Sequence, residues 1–374
     1  MLLLMVVNVD WFFTSHRLPI ALAALNAGYE VHIATSLTQN REFLEKYGFV
    51  VHPIEVDRSS AGAVGLIKLF FALMILFWKL KPDILHLVTI KPVLIGGAAT
   101  RFSPVKGVVY AVSGLGHVFI TNSILGKVRR KIVAAWYKFV LGAGNIRIIF
   151  QNPDDLHEIE AIAGIRKDQV VIIPGSGVDL NKYRLTSLPK GEVTVIMASR
   201  LLSTKGVREF VAAATHLKGS GINARFWLVG DPDPSNPASI SQSEIEDWAK
   251  IGCVNLFGHR SDIATLMEQA HIVVLPSYRE GLPKVLIEAA ACGRVVVTTD
   301  VPGCRDAIEQ GVTGVLVPAK DCVLLADAIL LLIKDQQLCL KMGLAGRKRA
   351  EEIFDINSVI NTHLLIYKSL ENEK

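Results

Sequence analysis

Apolar residues fall into two kinds of run along this chain. Short, nearly unbroken runs lie at 2–7, 30–34, 50–54, 84–88, 107–111, 147–150 and 170–173 in the first half, and at 193–198, 226–229, 254–257, 272–275 and 295–298 in the second. Between them lie longer stretches whose apolar residues recur every three to four positions, as at 18–26, 153–163, 322–334 and 337–353. Short runs with no polar alternation read as strands buried on both faces, and their alternation with helices reads as βαβ units around parallel sheets. The pattern predicts an α/β protein with doubly wound parallel sheets. A length of 374 residues, half of them apolar, is enough for two domains of about 150–200 residues, each with its own core. The polar stretch 184–192 is the expected linker.

Two segments depart from this alternation. Residues 61–81 are the most apolar part of the chain, and the ten residues 69–78 contain no polar side chain. That run is shorter than the roughly 20 residues a bilayer span needs. It is also apolar around its whole circumference, which packing by one face does not require. Burial in a crevice is one reading. The other is an interfacial helix, with Trp78 at headgroup depth and Lys79 and Lys81 on anionic lipid.

Charge favours the second reading. No Asp or Glu occurs between Asp83 and Asp154, whereas nine Lys and Arg do. Residues 1–185 carry net +7 and residues 186–374 net −2, within a total of +5. Residues 126–138 form a basic helix with an apolar side, four of its cations lying within 127–131. An anionic membrane surface or a phosphorylated substrate is the expected partner through 61–81 and 126–138. Nucleic acid is not, since no aromatic-interleaved basic run accompanies the charge. Five cysteines without C-x-x-C spacing read as a reduced, cytoplasmic chain. The amino-terminal apolar run lacks a basic n-region and a small-residue cleavage site, and reads as a first strand.

Chemistry-capable residues concentrate at 275–318. There a strand, a loop (Pro276 to Gly281), a short helix opened by Pro283 and stopped by Gly293, and a second strand follow at once. This layout puts a helix N-terminus at the carboxyl edge of a sheet, flanked by Glu280 in the loop and Glu288 inside the helix. Arg200 and Lys205 come off the 193–198 strand, a fork and a point charge suited to a diphosphate. The segment after the first strand, Asn8 to Pro19, contains no glycine, which argues against the dinucleotide fingerprint of a hydride-transfer enzyme. His16 and Arg17 there begin the first helix. Gly114 and Gly116 follow another strand, where glycine permits close backbone approach. Asp231 and Asp233 form a D-x-D in a proline-rich loop, which reads as a loop and not as a metal site; no metal or cofactor is expected.

The segment from Glu280 to Glu288 resembles the E-x7-E motif of the retaining family 4 glycosyltransferases, which adopt the two-domain GT-B fold. Ala289, Gly293, Pro302-Gly303 and the turn Gly311 to Gly314 look like the same pattern, as do Gly177-Val178-Asp179 and the Arg200…Lys205-Gly206 phosphate motif. His16-Arg17 and Gly114-Leu115-Gly116 look like a subgroup that extends polyprenyl-diphosphate-linked sugars in O-antigen, capsule or N-glycan assembly. Val112-Ser113 stand where the family more often has a histidine, so that residue's role is not carried over to His117.

The resemblance implies two Rossmann-like domains facing a cleft: an acceptor domain at 1–185, a donor domain at 186–354, and a helix at 355–374 crossing back. It implies a metal-independent transferase moving a hexose or N-acetylhexosamine from a nucleotide sugar, UDP-linked, to a polyprenyl-diphosphate-linked saccharide. Such an enzyme works in the cytoplasm, peripherally on the inner face of the membrane. Arg200 and Lys205 would take the diphosphate, Glu280 with the N–H groups of Gly281 and Leu282 the sugar, Glu288 the ribose, and Arg260 the nucleobase side. His16, Arg17, Gly114 and Gly116 would lie on the acceptor side. A sugar-nucleotide epimerase of the same fold, a transferase with another lipid or saccharide acceptor, and a non-catalytic nucleotide-binding subunit are the alternatives.

Overall fold

The computed structural model describes residues 1–38, 40–55, 62–114, 124–142 and 144–372, at 124–132 and 372 for the backbone alone. The chain forms two compact units, residues 1–176 with 357–374, and residues 177–356.

The first unit contains seven strands: β1 (Leu2–Val9), β2 (Glu30–Ser36), β3 (Val50–Pro53), β4 (Ile84–Val88), β5 (Gly107–Val112), β6 (Ile146–Phe150) and β7 (Val170–Ile172). They make one sheet in the order β3-β2-β1-β4-β5-β6-β7, and all pairs are parallel. The second unit repeats the plan with β8 (Val193–Ala198), β9 (Ala224–Val229), β10 (Asn255–Gly258), β11 (Ile272–Leu275), β12 (Val295–Thr299) and β13 (Gly314–Val317). Their order is β10-β9-β8-β11-β12-β13, again all parallel. In both sheets the winding reverses beside the first strand. Loops leaving the carboxyl ends there diverge and open a crevice, the usual ligand site of such sheets.

Burial explains the unbroken apolar runs. Every residue of β8, β11 and β12 is buried, because helices cover both faces. In the first sheet Leu4 and Val6 join one core, while Leu3, Met5 and Val7 join the other on the opposite face. The helix Ile356–Asn372 supplies Val359, Ile366, Tyr367 and Leu370 to that second core. It is held further by the Tyr29 hydroxyl donating to Glu371 at 2.5 Å and by the Asn145 amide donating to the Leu370 carbonyl at 3.1 Å.

The first crossing between units lies earlier than the expected 185/186 boundary. Val178 and Tyr183 are buried in the second unit's core, and Val178 bridges Asp355 there. The polar stretch that reads as a linker is tied to the same unit. Buried Arg294 donates to the carbonyls of Thr186, Ser187, Met267 and Glu268 at 2.9–3.3 Å. A guanidinium satisfied by carbonyls substitutes for the hydrophobic contacts that the linker's composition lacks.

The helix Ala63–Leu80 combines both readings of its composition. Leu69, Leu73 and Phe77, four residues apart, are buried in the first unit's core. Val64, Ile67, Phe71, Ile75 and Trp78 line the opposite face and are 50–68% exposed. Phe102, Trp136 and Phe139 are further exposed aromatics of this unit. The Trp78 indole donates to the Phe102 carbonyl at 2.8 Å, and that of Trp136 to the Leu94 carbonyl at 3.1 Å. Lys68, Lys79, Lys81, Arg101 and Lys138 are exposed. Residues 126–138 fall within the helix Ile124–Leu141.

Candidate active site

In the second unit the site is assembled by loops at the carboxyl ends of β8, β9 and β11. After β8 the chain makes a tight turn, Ser203–Lys205, and Gly206 then starts the helix Val207–Gly219. After β11 the loop is stitched to this turn: the Tyr278 N–H donates to the Thr204 carbonyl at 2.9 Å. Lys205 Nζ forms an ion pair with Glu280 Oε1. Ser277 Oγ lies 2.5 Å from the same oxygen and 3.1 Å from the Thr204 carbonyl, so its one proton is shared between the loop and the turn. The Glu280 N–H donates to the Pro302 carbonyl at 3.1 Å. Lys205 and Glu280 thus meet across 75 residues of sequence, with side chains 21% and 13% exposed.

Arg200 is also paired. Its Nη1 donates to Asp233 Oδ2 at 2.8 Å, joining the loops that leave β8 and β9. The D-x-D carboxylate therefore faces a guanidinium. Arg200 and Lys205, expected from the sequence to face an anion, each pair with a carboxylate of the protein itself.

Glu288 lies inside the helix Lys284–Ala291, which starts after Pro283 and stops at Gly293. It is 7% exposed, and burial raises its pKa against the opposing pull of Lys284, 3.6 Å away, and a hydrogen bond from Tyr183. Gly281 and Leu282 are buried at the entrance to this helix. Arg260 is exposed and donates through Nε and Nη2 to both oxygens of Asp262, at 2.7 and 2.5 Å.

In the first unit the acceptor-side candidates separate. The His16 ring stacks on Phe12 with centroids 4.1 Å apart, and its Nδ1 lies 2.6 Å from Ser15 Oγ. Arg17 is 2% exposed and turns into the core, near His86, His363 and Tyr367. Burial lowers its pKa to about 10, with Tyr367 opposing. Burial also holds the two histidines neutral, that of His363 falling to about 3. Arg17 is therefore buried towards the carboxyl-terminal helix, a correction to its expected place at the sheet edge. Gly114 adopts φ +105°, while Gly116 and His117 lie outside the described residues.

Asp10, the first residue of the helix Asp10–His16, organises that edge. Burial opposes its ionisation, but hydrogen bonds from the Thr38 hydroxyl, the Thr38 and Asn40 N–H groups and the Trp11 N–H outweigh it and lower its pKa. The sequence marks Asp233 only as part of a D-x-D loop and gives Ser277 and Tyr183 no part in the site. Each acquires its role from a partner 3 to 105 residues away.

Comparison with known proteins agrees with this architecture. Residues 2–152 match the family described as "Glycosyl transferase 4-like", and residues 192–335 match "Glycosyl transferases group 1". The chain belongs to the glycosyltransferases of the GT-B fold. It is 28% identical over 365 residues to the N,N'-diacetylbacillosaminyl-diphospho-undecaprenol alpha-1,3-N-acetylgalactosaminyltransferase of Campylobacter jejuni, covering 94% of each chain. It is 26% identical to the capsular polysaccharide biosynthesis glycosyltransferase CapM of Staphylococcus aureus, covering 90% of each. Among solved structures, Anabaena HepE in complex with UDP-glucose superposes with a TM-score of 0.75 at 20% identity, covering 99% of each chain. That likeness establishes the shared fold.

Proposed function

We propose that this glycosyltransferase moves a hexose or N-acetylhexosamine from a UDP-sugar to a polyprenyl-diphosphate-linked saccharide, retaining the donor's anomeric configuration. The observation that carries the reading is the Lys205–Glu280 pair, with Ser277 Oγ on the same Glu280 oxygen, beside the entrance to the helix Lys284–Ala291. Lys205 and Arg200 take the diphosphate and offset the charge that builds on it as the sugar departs, a role a metal ion fills elsewhere. Glu280 and the N–H groups at Gly281 and Leu282 orient the sugar. Glu288 receives the ribose hydroxyls, with Arg260 towards the base. The Campylobacter relative, whose name specifies a diphospho-undecaprenol acceptor, supports the acceptor class.

The test is incubation with a panel of UDP-sugars and a short-chain polyprenyl-diphosphate disaccharide, with and without EDTA. The expected result is a trisaccharide from one donor, its new linkage keeping the donor's configuration, at a rate EDTA does not lower. An epimer formed from donor alone would establish the epimerase alternative, and complete dependence on a divalent cation would overturn the metal-free mechanism.

An acceptor held in a membrane requires the enzyme to reach it, and the face presented by Val64, Ile67, Phe71, Ile75 and Trp78 is suited to this. Lying in the interface, this stripe buries apolar side chains among acyl groups while Lys68, Lys79 and Lys81 meet anionic headgroups. The enzyme would thus work peripherally on the cytoplasmic face. Burying one such side chain is worth about 1.5–3 kcal/mol, at least about a tenfold change in partitioning. Wild-type protein should float with phosphatidylglycerol vesicles, and the Phe71→Glu/Ile75→Glu variant should stay at the bottom of the gradient. Equal flotation of the two would exclude this surface.

A further inference from the structure

The D-x-D segment is left without a role by the proposed chemistry, yet the structure builds it with care. The loop after β9 is sewn to the turn that carries Arg200. Leu201 N–H donates to the Asp231 carbonyl at 2.9 Å, Ser203 N–H to the Ala238 carbonyl at 2.8 Å, and Ile240 N–H to the Leu201 carbonyl at 2.9 Å. Within the loop, Asp233 N–H donates to Ser239 Oγ at 3.0 Å, and Ser235 Oγ donates to Asp233 Oδ1 at 2.7 Å. Ser239 thus anchors the Asp233 backbone and Ser235 orients the carboxylate through Oδ1, with Oδ2 meeting Arg200; the side chain is only 16% exposed.

We propose that Asp233 is a positioning residue for donor binding, aligning the Arg200 guanidinium so that its free edge receives the donor's diphosphate. Asp233 Oδ2 engages Nη1 at 2.8 Å. Nε and Nη2 of Arg200 make no hydrogen bond among the described residues, which leaves a two-donor fork of the shape that phosphate oxygens accept. An Arg–Asp pair that keeps some solvent contact on the arginine side adds little to stability. An arginine has several rotatable bonds, so a fixed acceptor on one corner removes much of the entropy cost of immobilising it on a ligand. Asp233 also lowers the net charge beside the diphosphate. Alignment and competition predict opposite signs on removal, and the braced carboxylate favours alignment.

This inference rests on Arg200 being a diphosphate ligand, and the experiment separates the two claims. UDP affinity by calorimetry and steady-state kinetics are compared for wild type, Asp233→Ala, Asp233→Asn, Arg200→Ala and the Asp233→Ala/Arg200→Ala double variant, with a thermal melt to confirm folding. Asp233→Ala should weaken UDP binding and raise donor KM by about tenfold, with kcat changing by less than about threefold. Asp233→Asn keeps an acceptor oxygen and should recover most of the loss. The double variant should bind no worse than Arg200→Ala, because Asp233 acts through Arg200. Tighter or unchanged binding in Asp233→Ala would overturn the proposal, as would full additivity in the double variant. Wild-type UDP affinity in Arg200→Ala would overturn the donor-site reading and this proposal together. Loss of affinity in Arg200→Ala alone would leave the donor-site reading standing and remove only Asp233's part.

Discussion

Lys205→Ala should transfer sugar about a hundred to a thousand times more slowly than the wild type while remaining folded. Deleting one preorganised donor from a site where charge develops typically costs about 2.7–4 kcal/mol of barrier. On the proposed reading Lys205 is such a donor: its ammonium is held by Glu280 on the loop after β11, and that loop is fastened to the Lys205 turn through Thr204. Glu280→Ala should be equally inactive for a complementary reason. It removes the carboxylate proposed to grip the sugar and releases Lys205 from its orientation. Because both side chains retain some solvent contact, the ion pair itself contributes modestly to stability, so melting temperatures should stay within a few degrees of wild type. Steady-state kinetics at saturating donor, beside thermal melts, provide the check. A Lys205→Ala enzyme retaining a tenth of wild-type kcat would remove that residue from the mechanism.

The second large effect is expected at Gly303. This residue has φ +81°, and a Cβ there would lie 2.5 Å from the carbonyl oxygens of both Glu280 and Gly281. Both obstacles are backbone, so neither can swing aside. Gly303→Ala must move the loop that carries Glu280, and adds the cost of a left-handed conformation, about 1–2 kcal/mol. Displacement of a positioning loop by about 1 Å commonly costs a hundredfold in rate. The variant should therefore show a lower melting temperature, a raised donor KM and about a hundredfold loss of transfer. Gly311→Ala is the control. Its φ is +74°, but no atom lies within 4 Å of the added carbon, so it should pay the conformational cost alone and keep wild-type activity. Equal behaviour of the two variants would mean that crowding at Glu280 and Gly281 is irrelevant to the site.

The contrast between these glycines shows what a sequence pattern carries. Pro302-Gly303 and Gly311 both stand within the resemblance, but only three-dimensional packing distinguishes the glycine that a backbone presses against from one that faces open space. The helix Ala63–Leu80 is a similar case. Its composition is apolar on all sides, and composition alone does not assign a face. The fold divides it by packing Leu69, Leu73 and Phe77 on the sheet and leaving Phe71, Ile75 and Trp78 outward.

The sequence by itself determined the α/β class, the positions of the strands, and the frame from Glu280 to Glu288 with its helix start and stop. These are local matters: runs of apolar residues, proline at a helix entrance and glycine at its exit act within a few residues of themselves. The tertiary structure alone decided which charges meet. Lys205 finds Glu280 and Arg200 finds Asp233 because parallel strands β8, β9 and β11 bring their carboxyl ends together. It also decided that Arg17 turns inward, towards His86 and Tyr367, because the carboxyl-terminal helix covers that side of the first sheet. Hydrophobic periodicity acts along the chain; ion pairing acts through space, and its partners exist only once the sheet has set the distance between them.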